Sequence, residues 1–145
     1  MDVAALLVEL YGRIPPLAQE AVDGLDATQL TAVPGPGTNT IGWLIWHLTR
    51  VQDHHVAELL DTEQVWVDAD WARRFGLDPD PSNTGYGHSA VEGTMLEGLV
   101  APDLERVVDR RWDPPVTLGV RLVSIADDGL QHVGQAAYVR GLLSP

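Results

Sequence analysis

Apolar side chains return at intervals of three and four along most of this chain, the spacing that gathers them on one face of a helix. From Asp2 to about Leu25 the series Leu6, Leu7, Leu10, Ile14, Leu17, Ala18 and Val22 predicts a first helix. Pro15-Pro16 interrupts it, and a proline lacks a backbone donor and crowds the preceding turn, so a kink or restart is expected there. Pro34, Gly35, Pro36 and Gly37 mark a loop over residues 31–38. Thr38, Asn39 and Thr40 then offer N-caps for a second helix from Ile41 to about Leu60, with Trp43, Leu44, Trp46, His47, Leu48, Val51 and His54 on its inner faces.

Between Asp61 and about Gly87 the pattern becomes polar and is broken by Pro79, Pro81, Gly85 and Gly87, yet it keeps Val65, Trp66, Trp71, Phe75 and Tyr86. A connection of this length packs as a lid or carries function. A third helix is expected from His88 to about Val108, weakened by Gly93 and Gly98 and kinked or ended by Pro102. After Asp113-Pro114-Pro115, Thr117 can cap a fourth helix running to Arg140, with Gly141 as its stop and Arg140 placed favourably for the helix dipole. No period-2 strand, internal repeat or low-complexity stretch is visible. The expected fold is all-α, a single domain over residues 1–145 built as a four-helix bundle with a long crossover loop between helices 2 and 3.

Composition narrows the function. The chain is 145 residues long and 45% hydrophobic, enough to bury a core without staples. Its start, Met1-Asp2-Val3, lacks a basic segment followed by a long apolar run, so no membrane span or secretory signal is expected and a cytoplasmic location is inferred. There is no cysteine, which removes disulfides, thiolate nucleophiles and Cys-type zinc sites together. The net charge is -12, and all nine basic residues are arginine, so nucleic acid is a poor partner. The absence of lysine beside abundant Ala, Val, Gly, Asp and Arg suggests a GC-rich coding sequence.

Five histidines are present, at positions 47, 54, 55, 88 and 132. A carboxylate lies four residues from a histidine three times, at His54 with Glu58, His88 with Glu92 and His132 with Asp128, and each pair shares a helix face. Glu58 and Glu92 fit solvated charges. Asp128 and His132 lie on a partly apolar stripe with Arg121, Ile125, Gln135 or Ala136, and Val139, where an unpartnered carboxylate would be costly. A shared cation or a simple hydrogen-bonded pair would each satisfy them. Trp43, Trp46, Trp66, Trp71 and Tyr86 can wall a pocket, although aromatic residues at this spacing more often form core. Arg121, with Asp127 nearby, can bind a substrate carboxylate or pair with an acid, and pairing is the simpler expectation.

The stretches Gly42-Trp43-Leu44-Ile45-Trp46-His47-Leu48-Thr49-Arg50 and Asp128-Gly129-Leu130-Gln131-His132-Val133-Gly134-Gln135-Ala136-Ala137-Tyr138 resemble the two metal-binding helices of DinB-like proteins. The variant they resemble most is the metal-binding domain of mycothiol-dependent maleylpyruvate isomerase and its uncharacterised relatives. The resemblance implies one divalent metal ion held by His47, Asp128 and His132. Asp128 departs from the pattern, which more often has Glu or His there. His54 recurs on nearly the same side of its helix as His47 but sits about 10.5 Å further along, so the two cannot share an ion. His55 points elsewhere, and His88 is expected to cap or precede the third helix.

Zinc is the leading metal, with nickel, iron or cobalt as alternatives. Three protein ligands leave a position open, which marks a reactive rather than a closed structural site. The resemblance implies a low-molecular-weight thiol as co-reactant and an electrophile as substrate, for transfer or isomerisation, and a GC-rich genome suits a mycothiol-making host. The alternative is a metal-binding or dimerising bundle without catalysis, and a homodimer is compatible with either reading.

Overall fold

The computed structural model describes residues 2–84 and 99–143. Helix α1 (Val3–Gly12) is capped by Asp2, whose side chain accepts from the Ala5 amide at 2.8 Å. The chain restarts after Arg13 as α2 (Ile14–Val22), with Pro15 and Pro16 in its first turn, where the missing donors have no helical partner to lose. The expected restart is therefore present. A short helix not foreseen from periodicity, α3 (Ala27–Thr31), is fixed by a capping box. Asp26 accepts from the Gln29 amide at 2.8 Å and Gln29 returns to the Asp26 amide at 3.0 Å.

Helix α4 (Ile41–Leu60) begins where the sequence places it, with Thr40 accepting from the Trp43 amide at 3.1 Å. It ends at Asp61, which takes a left-handed conformation with φ 54°. The polar connection that follows contains two single-turn helices, α5 (Val65–Asp68) and α6 (Trp71–Arg74). These are tied down from α4 by Arg50 and Asp53. Asp53 accepts from the Val65 and Trp66 amides at 2.8 and 2.9 Å. The Arg50 guanidinium donates to Asp53, to Gln64 Oε1 and to the carbonyls of Asn83 and Pro81, and lies 4.9 Å from the Trp66 ring centre.

The third helix expected over His88–Val108 does not reach Val108, and most of that stretch, with His88, lies outside the described residues. What is described there is a 3₁₀ turn at Ala101–Glu105, with Pro102 in its first turn, and then strand β1 (Val107–Asp109). β1 pairs antiparallel with β2 (Val116–Thr117), Val107 facing Thr117 and Asp109 facing Val116. No strand was expected, and elements of three and two residues are too short for period-2 alternation to show. Helix α7 (Leu118–Leu143) starts after Thr117, whose hydroxyl faces the Val120 amide at 3.4 Å. It runs past Gly141, correcting that residue as its stop, because Leu142 and Leu143 continue the pattern and Leu143 packs on the core. Arg140 lies in the last turn, as expected, and donates to the carbonyls of Ala21 and Asp23, at the end of α2.

The two long helices, α4 and α7, lie antiparallel, with Leu44 meeting Val139 at one end and His55 meeting Arg121 at the other. One apolar cluster joins them to α2 through Ile14, Ala21, Leu44, Leu48, Val133 and Ala136. A second joins α1 to the start of α7 through Leu7, Tyr11, Leu118, Leu122 and Ile125, and the Tyr11 hydroxyl donates to the Leu122 carbonyl at 2.6 Å. Gly129 lets α2 approach α7, since a Cβ there would stand 2.9 Å from Ile14 Cδ1. The protein is thus dominated by helix, in line with the all-α expectation, with one small ladder beside α7. No helix among the described residues is long and apolar enough to cross a membrane.

Candidate metal centre

Asp128 falls on α7 between the residues that feed the two apolar clusters, so the helix turns it inward where hydrocarbon gives way. His132 stands one turn on, with its Nε2 3.4 Å from Asp128 Oδ1. His47 comes across from α4, its ring meeting that of His132 edge to face at a centroid distance of 4.9 Å. One donor atom from each of His47, Asp128 and His132 lies within 4.8 Å of the other two. The three positions singled out by sequence therefore converge.

The polar atoms here fit a cation. His47 Nδ1 and Asp128 Oδ2 are buried without a hydrogen-bond partner among the described residues, a costly condition in a protein interior. Burial pushes the Asp128 carboxyl above the usual carboxylate range; His132 and His47 pull it back, and Asp127 adds to the rise. His132 Nδ1 donates to Gln135 Oε1 at 2.8 Å, so a neutral His132 turns its Nε2 lone pair toward the Asp128 oxygen, and a protonated one an N–H. Two such atoms at that separation need a proton or a metal cation between them. Ligand atoms each about 2.1 Å from one tetrahedral ion stand about 3.4 Å apart, matching the observed spacing. Two imidazoles and one carboxylate are a donor set that suits zinc and its first-row neighbours.

Gln135 is the functional residue that spacing did not reveal. By holding the second nitrogen of His132 it sets the tautomer and ring direction, as partners of metal-binding histidines do. Trp43 closes another side. It stacks on His47 at 4.7 Å with 10° between ring planes, stands 6.3 Å from His132, and remains 37% exposed. It walls the site, whereas Trp66 is fully buried core and Trp71 packs against Phe75 and Arg74. Tyr86 lies outside the described residues.

A second group, His54, His55 and Glu58, also brings three donors within 4.8 Å, but its lone pairs are engaged. Gln64 Oε1 accepts from Arg50, so its amide nitrogen faces His54 Nδ1 at 3.0 Å. Arg121 donates to His55 Nδ1 at 3.3 Å. Burial, then the Arg121 charge, then His54 push the His55 imidazole down to about 4, against Glu58. A guanidinium beside a neutral imidazole disfavours a second cation there. Arg121 pairs with an acid as expected, but the acid is Asp109 of β1 at 3.0 Å, which Arg111 also holds at 2.8 Å, while Asp127 accepts from Gln131. These hydrogen bonds keep the Asp109 carboxyl well below the usual range, Arg111 contributing most.

No curated protein matches the sequence. A solved structure described as that of the conserved protein of locus from Enterococcus faecalis superposes on 99% of this chain and 98% of its own, with 28% identity and a TM-score of 0.82. The sequence profile of the mycothiol-S-transferase family matches residues 17–145, a span that takes in both α4 and α7. On that match the chain belongs to the mycothiol-S-transferase family, within the DinB-like superfamily.

Proposed function

We propose that His47, Asp128 and His132 hold one divalent metal ion, zinc foremost, and that the protein binds a low-molecular-weight thiol of the mycothiol type for transfer to an electrophile. The observation that carries this is the convergence of three donors, two of them with buried atoms that no other group among the described residues satisfies. Bound there, a divalent ion supplies a Lewis acid that lowers the pKa of a coordinated thiol. The chain itself has no cysteine, so the nucleophilic sulfur comes from the co-reactant. Gln135 orients His132, and Trp43 covers His47 and keeps water from that side. In a transfer of this kind the thiol sulfur supplies the electron pair of a new S–C bond. The thiol proton is released, and the leaving group departs with the pair of the bond that breaks.

The test is spectroscopic. Thiol added to the cobalt-substituted protein should produce a sulfur-to-metal charge-transfer band in the near ultraviolet. Asp128→Ala should weaken or abolish that band, and Asp128→His should retain it. If millimolar thiol leaves the spectrum unchanged while cobalt stays bound, the protein is a non-catalytic metal-binding bundle instead.

A further inference from the structure

Over its last turns α7 exposes Gly134, Gln135, Ala137, Tyr138, Gly141 and Leu142. None is charged, in a chain with 21 acids and nine arginines, and Tyr138 and Leu142 are left 69% and 57% exposed. The six form two rows, each stepping by three and then four residues and so running close to the helix axis. Gln135, Tyr138 and Leu142 make a ridge that borders a groove of about 470 Å³ toward the α3–α4 connection, where no lining residue carries a formal charge. Gly134, Ala137 and Gly141 line a groove of about 420 Å³ between α7 and α2, with Leu17 on its other wall. Packing within the chain does not account for two of these small residues. A Cβ at Gly134 or Gly141 would meet nothing within 4 Å among the described residues, unlike one at Gly129, and glycine weakens a helix. Bare backbone of this kind lets a second helix come close.

We propose that this face is the contact between two copies of the chain, paired antiparallel through α7 about a twofold axis near Tyr138. The occupant follows from the pattern, because a ridge and a groove side by side on one helix complement each other when a copy is turned around. Setting Leu142 on the partner copy's Gly134 brings Tyr138 over the partner copy's Ala137 and Gln135 over the partner copy's Gly141, and the axis repeats all three contacts. Charge points the same way. Two chains that each carry a net charge of -12 repel, and they approach with least repulsion where neither presents a charge. An acidic or basic partner would find no ion pair on this ridge. The two grooves have nine lining residues each, close to the roughly 20 to 30 per side of a standard interface. Pairing would also cover Gln135, whose amide holds His132, although the proposal depends on neither the metal nor the thiol reading.

Sedimentation equilibrium of the full chain over a concentration series should show monomer and dimer exchanging with a dissociation constant in the micromolar range. Gly134→Leu fills the groove at a position with free space in the single chain, and Tyr138→Arg sets like charges against each other at the axis. Each should weaken the dimer at least about tenfold while far-ultraviolet dichroism shows the helix content unchanged. Val120→Arg, at an exposed position near the start of α7, should leave it within about twofold. Because the chain has no cysteine, Tyr138→Cys supplies a single thiol near the axis, and mild oxidation should join two chains through it. Val120→Cys should not cross-link. A chain that stays monomeric up to about 1 mM, or a dimer that survives both Gly134→Leu and Tyr138→Arg, overturns the proposal. Equal cross-linking through the two cysteine variants overturns it as well. Should Gly134→Leu fail to fold, Tyr138→Arg and the cross-link carry the test.

Discussion

His132 shows how much one side chain depends on its second partner. Its imidazole can face Asp128 as a hydrogen-bond donor or as a bare lone pair, and in the neutral ring the Gln135 oxygen, by taking the Nδ1 proton, turns the lone pair toward Asp128. Gln135→Leu should therefore lower metal affinity about 10- to 100-fold with little change in thermal stability, measured by competition with a chelator. Unchanged affinity would mean that packing alone orients the ring. Asp128 and His132 were legible in the sequence because four-residue spacing on a helix is a local property. His47 entered through resemblance, and Gln135 was noted only as part of a stripe, since a tautomer partner emerges from rotamers and not from spacing.

His55 gives a pH-dependent counterpart. Its folded value near 4 lies below the unperturbed imidazole value of about 6.5, so between those two the unfolded chain binds more protons than the native one. Stability then rises with pH across that window, is complete above it and is progressively lost as pH falls toward 4. Arg121, His54 and Glu58 are the charged and titratable groups that set this value. Denaturation of His55→Leu between pH 4 and 6.5 should show a shallower slope than the parent protein. An identical slope would contradict the effect of burial beside Arg121.

At the scale of elements, α4 organises the molecule by facing α7 on one side and the α5–α6 connection on the other. Arg50 is fully buried, and its guanidinium joins Asp53, Gln64, two backbone carbonyls and the Trp66 ring. Arg50→Met would keep most of the volume but leave Asp53 without its cation and two carbonyls without donors. The expected loss is about 3 kcal/mol in chemical denaturation, with faster proteolysis within residues 61–84. A loss under about 0.5 kcal/mol would show that the connection is held by packing alone. The sequence announced α4 clearly, through sustained periodicity and a threonine cap. It marked Asp61 to about Gly87 as a connection that packs as a lid or carries function, but not what holds its described part, because Arg50 sits in a helical pattern where arginine usually reaches solvent. The β1–β2 ladder was invisible for a different reason: its pairing spans Asp113-Pro114-Pro115 and involves too few residues for a periodic signal.

For the molecule as a whole, two antiparallel helices bring a histidine from one and an acid-histidine pair from the other to a common point, with aromatic cover on one side and an uncharged groove on the other. Helix dominance could be read from apolar spacing because burial of helix faces builds the core. The extent of the third helix could not, since Gly93, Gly98 and Pro102 each weaken a pattern that tertiary contacts must then decide. The most direct test of the account is metal content. Protein purified without a nickel column should carry about one divalent ion per chain, measured by elemental analysis against protein concentration. His47→Ala and His132→Ala should each remove it, and His54→Ala and His55→Ala should retain it in full. Metal retained by both of the first pair, or lost from His54→Ala while His47→Ala keeps it, would contradict the site.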